Sequence, residues 1–325
     1  MVGTVAHYVR VKTETVHFFS EGARLRGFLH RPDRGASRLP FIVQGPGWLG
    51  LADANLYVPY HQAFTDAGFA VLIFDYRGFG ESEGDRGFIS PTWQLEDWRN
   101  AIAYMRSRPD IDGERGAIFG SGGTGGGNAV LVAAAEPAAL ATISQVPVSD
   151  GRDWLRRMRA TEAEWNTFLA RVDADRRQRA ATGTGVLVHP RDEIMIQSAE
   201  RKTTSVKADV DSRIPTAVPL SCAQGVLEYR PLDVARRVRG LMIVAVEDDL
   251  VTPTDHATAL FEESGTPKKL VMQRGTTHYA AYKQYASEVI PMMVDWLTRL
   301  VLERGKPARD DEQVIVGQPQ VAARS

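Results

Sequence analysis

The chain has 325 residues, 43% of them hydrophobic and 24% charged, and 39 Lys+Arg set against 40 Asp+Glu leave a formal net charge of -1. That length accommodates a sizeable core in one large domain or two small ones, and so even a charge balance argues against a dedicated nucleic-acid or anionic-membrane surface. Small-molecule chemistry is the expectation. The single cysteine, Cys222, excludes an internal disulfide and fits a reducing cytoplasm, and with no CxxC or His/Cys cluster the sequence calls for no metal or other cofactor.

Residues 1–15 lack an apolar core and a small-residue cleavage site, so a secretory signal is not expected. No apolar run is long enough to span a bilayer. Residues 13–19 and 23–30 alternate apolar and polar side chains around Ser20-Glu21-Gly22, which predicts a hairpin. A turn-rich loop over 32–38 leads to a short buried strand at 41–43, then Gly45-Pro46-Gly47-Trp48-Leu49-Gly50 and a helix ending near Gly68. A strand follows at 69–74, and helical apolar spacing covers 91–106, with Pro91 suited to the first turn.

The segment Gly116-Ala117-Ile118-Phe119-Gly120-Ser121-Gly122-Gly123-Thr124-Gly125-Gly126-Gly127-Asn128 predicts a strand that turns sharply into a helix. Such a corner usually lifts a nucleophilic side chain into a pocket. Here the corner falls at Gly122 by spacing from Asp112, or at Gly123 counting back from the glycine run; both lack a side chain. Glycine reaches positive φ without a Cβ clash, and the backbone N–H groups still point at the pocket. A phosphate-cradling loop is the rival reading, but no Lys-Ser/Thr follows the glycines and several elements precede them.

The small-residue helix runs through Ala135, and a strand is expected near 140–146. From about 148 to 235 the strand-helix alternation breaks into helical stretches bearing aromatics and arginines, the form that a lid inserted between sheet strands takes. Interleaved acids favour solvated faces for those arginines over an anion guide. Alternation resumes with a strand at 241–246, a helix from Thr254, a strand at 269–273 and a long helix ending near Arg304. The organisation expected is a core of 1–147 and 236–304, a lid of 148–235, and a tail of 305–325 that is polar, aperiodic and either mobile or a packing arm. An opening hairpin followed by strand-helix units makes an α/β protein, its mostly parallel sheet covered by helices on both faces.

Two further strand ends carry chemistry. After 241–246 comes Glu247-Asp248-Asp249-Leu250-Val251-Thr252-Pro253, where Thr254 or Asp255 could cap the next helix and Asp249 could orient an imidazole. After 269–273 comes Gly275-Thr276-Thr277-His278-Tyr279. A lone loop histidine is usually structural, but the order corner, acid, histidine is that of one hydrolase architecture.

With those sites, Gly68-Phe69-Ala70-Val71-Leu72-Ile73-Phe74-Asp75-Tyr76-Arg77-Gly78-Phe79-Gly80-Glu81-Ser82, Gln94-Leu95-Glu96-Asp97-Trp98-Arg99-Asn100-Ala101, Ser144-Gln145-Val146-Pro147 and Tyr229-Arg230-Pro231-Leu232 cover most of residues 14–300. Over that span the chain resembles the α/β-hydrolase fold, specifically the bacterial dienelactone-hydrolase-like and X-Pro-peptidase-like esterases and acyl hydrolases. The resemblance implies Asp249 as triad acid and His278 as general base. It implies an oxyanion loop at Pro46-Gly47-Trp48, where Pro46 replaces the usual histidine and the Trp48 N–H is retained, with Gly123 N–H as the second donor.

Ser121, one residue early, should point away from the pocket, and Thr124 opens the helix, where hydroxyls cap or pack; both are candidate substrate contacts. Tyr279, with Trp48, Trp154 and Trp165, could line an aromatic-tolerant pocket or simply pack. The reading that follows is an enzyme without covalent catalysis: His278, oriented by Asp249, takes a proton from water or from a small carbonyl substrate. Ester or lactone hydrolysis, C–C bond cleavage beside a carbonyl, and lyase or elimination steps all suit it. The alternatives are a serine-type esterase with a shifted nucleophile at Ser121 or Thr124 or a replaced serine at 122, and a non-catalytic binder. The lid or the C-terminal helix offers a surface for a symmetric homodimer.

Overall fold

The computed structural model describes residues 11–33, 38–203, 211–305 and 309–318. Residues 1–15 fall partly, and the 32–38 loop, the 148–235 segment and the 305–325 tail each fall in part, outside the described residues.

The hairpin forms from β1 (Val11–Ser20) and β2 (Ala23–Pro32), in register from Ser20↔Ala23 onward. Glu21 and Gly22 take φ of 48° and 85°, the left-handed pair that a two-residue turn needs to match strand twist. Parallel strands follow: β3 (Leu39–Gly45), β4 (Ala70–Phe74), β5 (Ile111–Ser121) and β6 (Ala139–Gln145). A two-residue antiparallel pair, β7 (Leu187–Val188) with β8 (Val218–Pro219), lies apart from the main sheet. The sheet is completed by β9 (Leu241–Val246), β10 (Lys268–Gln273) and β11 (Asp311–Val316), in the order β1-β2-β4-β3-β5-β6-β9-β10-β11. Every residue of β4 and β9 is buried, as strands covered on both faces require.

The helices are α1 (Val58–Asp66), α2 (Pro91–Ser107), α3 (Gly123–Ala133), α4 (Gly151–Arg157), α5 (Glu162–Thr182), α6 (Ala199–Thr203), α7 (Cys222–Leu227), α8 (Thr254–Glu263), α9 (Ala281–Gln284) and α10 (Ala286–Leu297). Ser90 caps α2 by accepting the Trp93 N–H at 3.3 Å, with Pro91 in the first turn as expected. The pleat divides the core. Val43, Leu72, Phe74 and Ile118 pack with Trp98 and Met105 of α2 on one side, while Val71, Ile73, Phe119 and Val244 pack with Phe64 of α1 and Met293 of α10 on the other. This is the α/β-hydrolase architecture.

Residues 305–325 correct the sequence reading in part. Where an aperiodic tail was expected, residues 311–316 form β11, parallel to β10 from Lys268↔Asp311 to Gln273↔Val316. Only Val314, Ile315 and Val316 are apolar there, too few for a period-two signal, and the pairing is set by the neighbouring strand and by Lys269 against Glu312 at 3.2 Å.

A second feature of the fold carries a pH signature. His61 of α1 bonds the Gln44 side chain at 2.6 Å and stacks on His30 of β2 with ring centroids 4.4 Å apart. Burial lowers His30 to about 4, and burial together with the His30 charge lowers His61 to about 3. Below the unfolded value of about 6.5, the unfolded chain takes protons that these rings refuse. Stability is therefore full above that pH and lost as pH falls toward 4 and 3, at about 1.4 kcal/mol per unit for each ring. Asp75, pushed up to about 6 by burial against the Ala52 and Glu81 backbone hydrogen bonds, works oppositely between 6 and 3.8 and offsets one ring. In urea unfolding at stepped pH, His61→Gln is expected to flatten the loss between pH 6 and 4 by about 1.4 kcal/mol per unit. An unchanged slope would show that the folded chain protonates His61 freely.

Candidate active site

The parallel register levels the strand ends. Gly45 pairs with Gly120, Ser121 with Gln145, and Val246 with Gln273, so the loops that leave β3, β5, β6, β9 and β10 meet at one edge. At that edge β5 passes into α3 through Gly122 alone, which settles the register of the corner. Gly122 has φ 80° and ψ 165°, backbone that is essentially reserved to glycine. Its N–H donates to Gln145 O at 3.1 Å and its carbonyl accepts the Gly126 N–H at 2.6 Å. A Cβ at 122 would lie 3.1 Å from Gly47 Cα and 4.0 Å from Tyr282 Oη. Close packing behind the corner also depends on glycine, since a Cβ at 120 would lie 2.0 Å from Gly125 O.

Asp249 and His278 come together across 29 residues of sequence. Asp249 Oδ1 accepts the Val251 and Thr252 N–H groups at 2.7 and 2.9 Å, and Oδ2 accepts Thr252 Oγ1 at 3.0 Å. Oδ2 also bonds His278 Nδ1 at 2.8 Å. Burial works to raise the Asp249 carboxyl, but the charge and hydrogen bond of His278 and the two backbone donors outweigh it and hold the group below the usual carboxylate range. A charged carboxylate at Nδ1 fixes that proton in place and leaves Nε2 as the nitrogen able to take another.

His278 and Gly122 line the same cavity, about 780 Å³ in volume. Trp48, Ser121, Gly123 and Tyr279 line it too, together with Trp154, whose ring meets Trp48 edge-on at 6.0 Å. Among the described residues the Trp48 and Gly123 N–H groups have no acceptor, and Gly123 opens α3, where N–H groups are orphaned. Thr124 is not in the lining: it is buried, and its carbonyl accepts the Tyr229 hydroxyl at 3.0 Å. Trp165 also lies elsewhere, packed on Phe168 and Arg159. Pro253 occupies the cap position of α8; Thr254 instead donates to Val246 O at 2.8 Å, and Asp255 pairs with Arg157 at 2.7 Å.

Ser121 does not simply turn away. It is buried, and its Oγ donates to Tyr282 Oη at 3.0 Å. Tyr57 and Tyr282, which the sequence reading did not single out, both line the cavity. Tyr282 lies in α9 (Ala281–Gln284), which opens just after the His278 loop, and nearness in sequence to that loop was the available signal. Among the described residues, no cluster of three His, Cys, Asp or Glu gathers in metal-ligating geometry, and no helix is long and apolar enough to cross a membrane.

The family described as X-Pro dipeptidyl-peptidase (S15 family) matches residues 21–279. The quorum-quenching protein AidA of Acinetobacter baumannii (strain MDR-ZJ06) is 31% identical over 292 residues, 88% of this chain and 94% of that protein. Among solved structures, DcsB in complex with its substrate analogue aligns at a TM-score of 0.76 and 18% identity, over 90% of this chain and 100% of that one. The alpha/beta hydrolase GrgF from Penicillium sp. sh18 aligns at 0.70 and 21% identity, over 90% and 99%.

Proposed function

The chain belongs to the X-Pro dipeptidyl-peptidase (S15) family, and from that premise we propose that it is an α/β-hydrolase-type enzyme that cleaves a small carbonyl compound without a covalent intermediate. One observation carries the reading: a carboxylate-backed imidazole shares a cavity with a strand-helix corner that has no side chain. In this reading Nε2 of His278 takes a proton from water, and the water oxygen forms a bond to the substrate carbonyl carbon. The carbonyl π pair moves onto oxygen, where the Trp48 and Gly123 N–H groups hold the charge. As the pair returns, the bond to the leaving group breaks and the imidazolium supplies its proton. Esters and lactones fit this sequence, as does a C–C bond beside a carbonyl when the leaving carbon is a stabilised carbanion; a lyase step needs the base and the oxyanion site alone.

Residues 148–235 act as the cap in this reading, contributing Trp154, Arg191, Met195, Arg201 and Ile214 to the cavity wall. Ser121 and Thr124 are poor replacement nucleophiles: the first bonds the Tyr282 phenol and not His278, so no base stands ready to take its proton, and the second is absent from the wall. A serine-directed fluorophosphonate is therefore expected to leave the protein unlabelled by intact mass while short aryl esters or lactones are turned over. Stoichiometric labelling mapped to Ser121 or Thr124 would replace this mechanism with a serine-type one.

A further inference from the structure

Beside the corner lies a pair of hydroxyl groups, Ser121 and Tyr282, that the mechanism leaves unused. Ser121 Oγ donates to Tyr282 Oη at 3.0 Å. Among the described residues Tyr282's own proton has no acceptor, and Tyr282 lines the cavity. Its backbone is held by the Tyr60 hydroxyl, which donates to Tyr282 O at 3.1 Å. A hydroxyl that already accepts a hydrogen bond is polarised into a better donor.

The position of that donor is specific. Tyr282 Oη is 4.0 Å from where a Cβ on residue 122 would sit, on the side from which a nucleophile's side chain would project. The Trp48 and Gly123 N–H groups belong to the other task, that of holding the carbonyl oxygen. The His278 and Tyr282 rings lie 6.4 Å apart, centroid to centroid, and both line the cavity.

We propose that Tyr282 Oη and His278 Nε2 together seat the attacking water at Gly122, Tyr282 donating to the water oxygen and the water donating to Nε2. This rests on the water-based reading above. One lone pair of the water accepts from Tyr282, the other faces the carbonyl carbon, and one proton faces His278. Burial holds Tyr282 well above the ordinary tyrosine value, and the hydroxyl remains a donor at neutral and mildly alkaline pH. Ser121 is thus a positioning residue, fixing the Tyr282 hydroxyl from behind.

The test has two arms. High-resolution crystal structures of the wild type and of Tyr282→Phe are expected to show an ordered oxygen within hydrogen-bond reach of both Tyr282 Oη and His278 Nε2, and its loss in the variant. With 4-nitrophenyl acetate, Tyr282→Phe should lower kcat by about tenfold to a hundredfold with KM nearly unchanged, and Ser121→Ala should lower it less. In added methanol, Tyr282→Phe should form relatively more methyl acetate, since a site that no longer holds water discriminates less between the two; general loosening of the pocket would slow both routes alike. An empty seat in the wild type, an oxygen that persists unchanged in Tyr282→Phe, or wild-type kcat in that variant overturns the proposal, and does so without touching the base role if His278→Ala is inactive. Full turnover by His278→Ala removes the reading and the water seat with it.

Discussion

His278→Ala is expected to lower kcat on short aryl esters and lactones by about a hundredfold or more, the usual scale of a lost general base, while the protein stays folded. The structure explains why rate and fold separate here. Asp249, buried beneath the ring, keeps the Val251 and Thr252 N–H groups and the Thr252 hydroxyl as donors when the imidazole is gone. Its charge is then less well compensated but not orphaned. His278→Gln serves as the control, since an amide fills most of the ring's space and can donate to Asp249 but cannot take up a proton. Both variants should lose turnover, with the glutamine one closer to wild type in thermal midpoint. Asp249→Asn should lower turnover as well, because the amide can present its N–H to Nδ1 and favour the wrong tautomer. A His278→Gln protein with wild-type kcat would mean that no proton passes through this ring.

Much of this site was readable in the chain because its parts sit where one strand ends and a loop begins. Gly122, Asp249 and His278 each follow soon after a short apolar run that reads as a strand, and their order along the chain gave them meaning together. The sheet itself was readable for the same reason, since β4 and β9 are uninterrupted apolar segments. What was not readable depends on contacts between segments far apart. Ser121 was expected to turn away, yet it bonds a tyrosine 161 positions later, and no local pattern announces such a pairing. Trp165 had the same credentials as Trp48 and Trp154 but packs on its own helix neighbour, because an aromatic side chain in an amphipathic stretch says only that it is buried. Residues 311–316 illustrate a third limit: an edge strand with a half-exposed polar pattern takes its conformation from the strand it joins.

Gly122→Ser is expected to destabilise the protein and to abolish turnover rather than improve it. If the chain were a serine hydrolase lacking only its hydroxyl, restoring that group would bring a burst of aryl-ester cleavage. The backbone argues otherwise. At φ 80° and ψ 165° a side chain is strained whatever surrounds it, at about 1–3 kcal/mol. The new Cβ would also press on Gly47 Cα at 3.1 Å, and Gly47 cannot retreat easily, being itself packed against the corner with its own Cβ direction 3.1 Å from Ser121 O. The serine oxygen would then occupy the space in which the water is proposed to sit, so the variant gains a poorly aligned hydroxyl and loses its solvent nucleophile. Gly122→Ala separates the two costs: it carries the same strain and the same Cβ contact without the oxygen. Both variants should show a lowered thermal midpoint and little turnover, and neither should show a pre-steady-state burst. A burst in Gly122→Ser, absent from Gly122→Ala and accompanied by faster ester hydrolysis than the wild type, would mean that the corner relaxes to hold a working serine. The non-covalent mechanism would then give way to a covalent one.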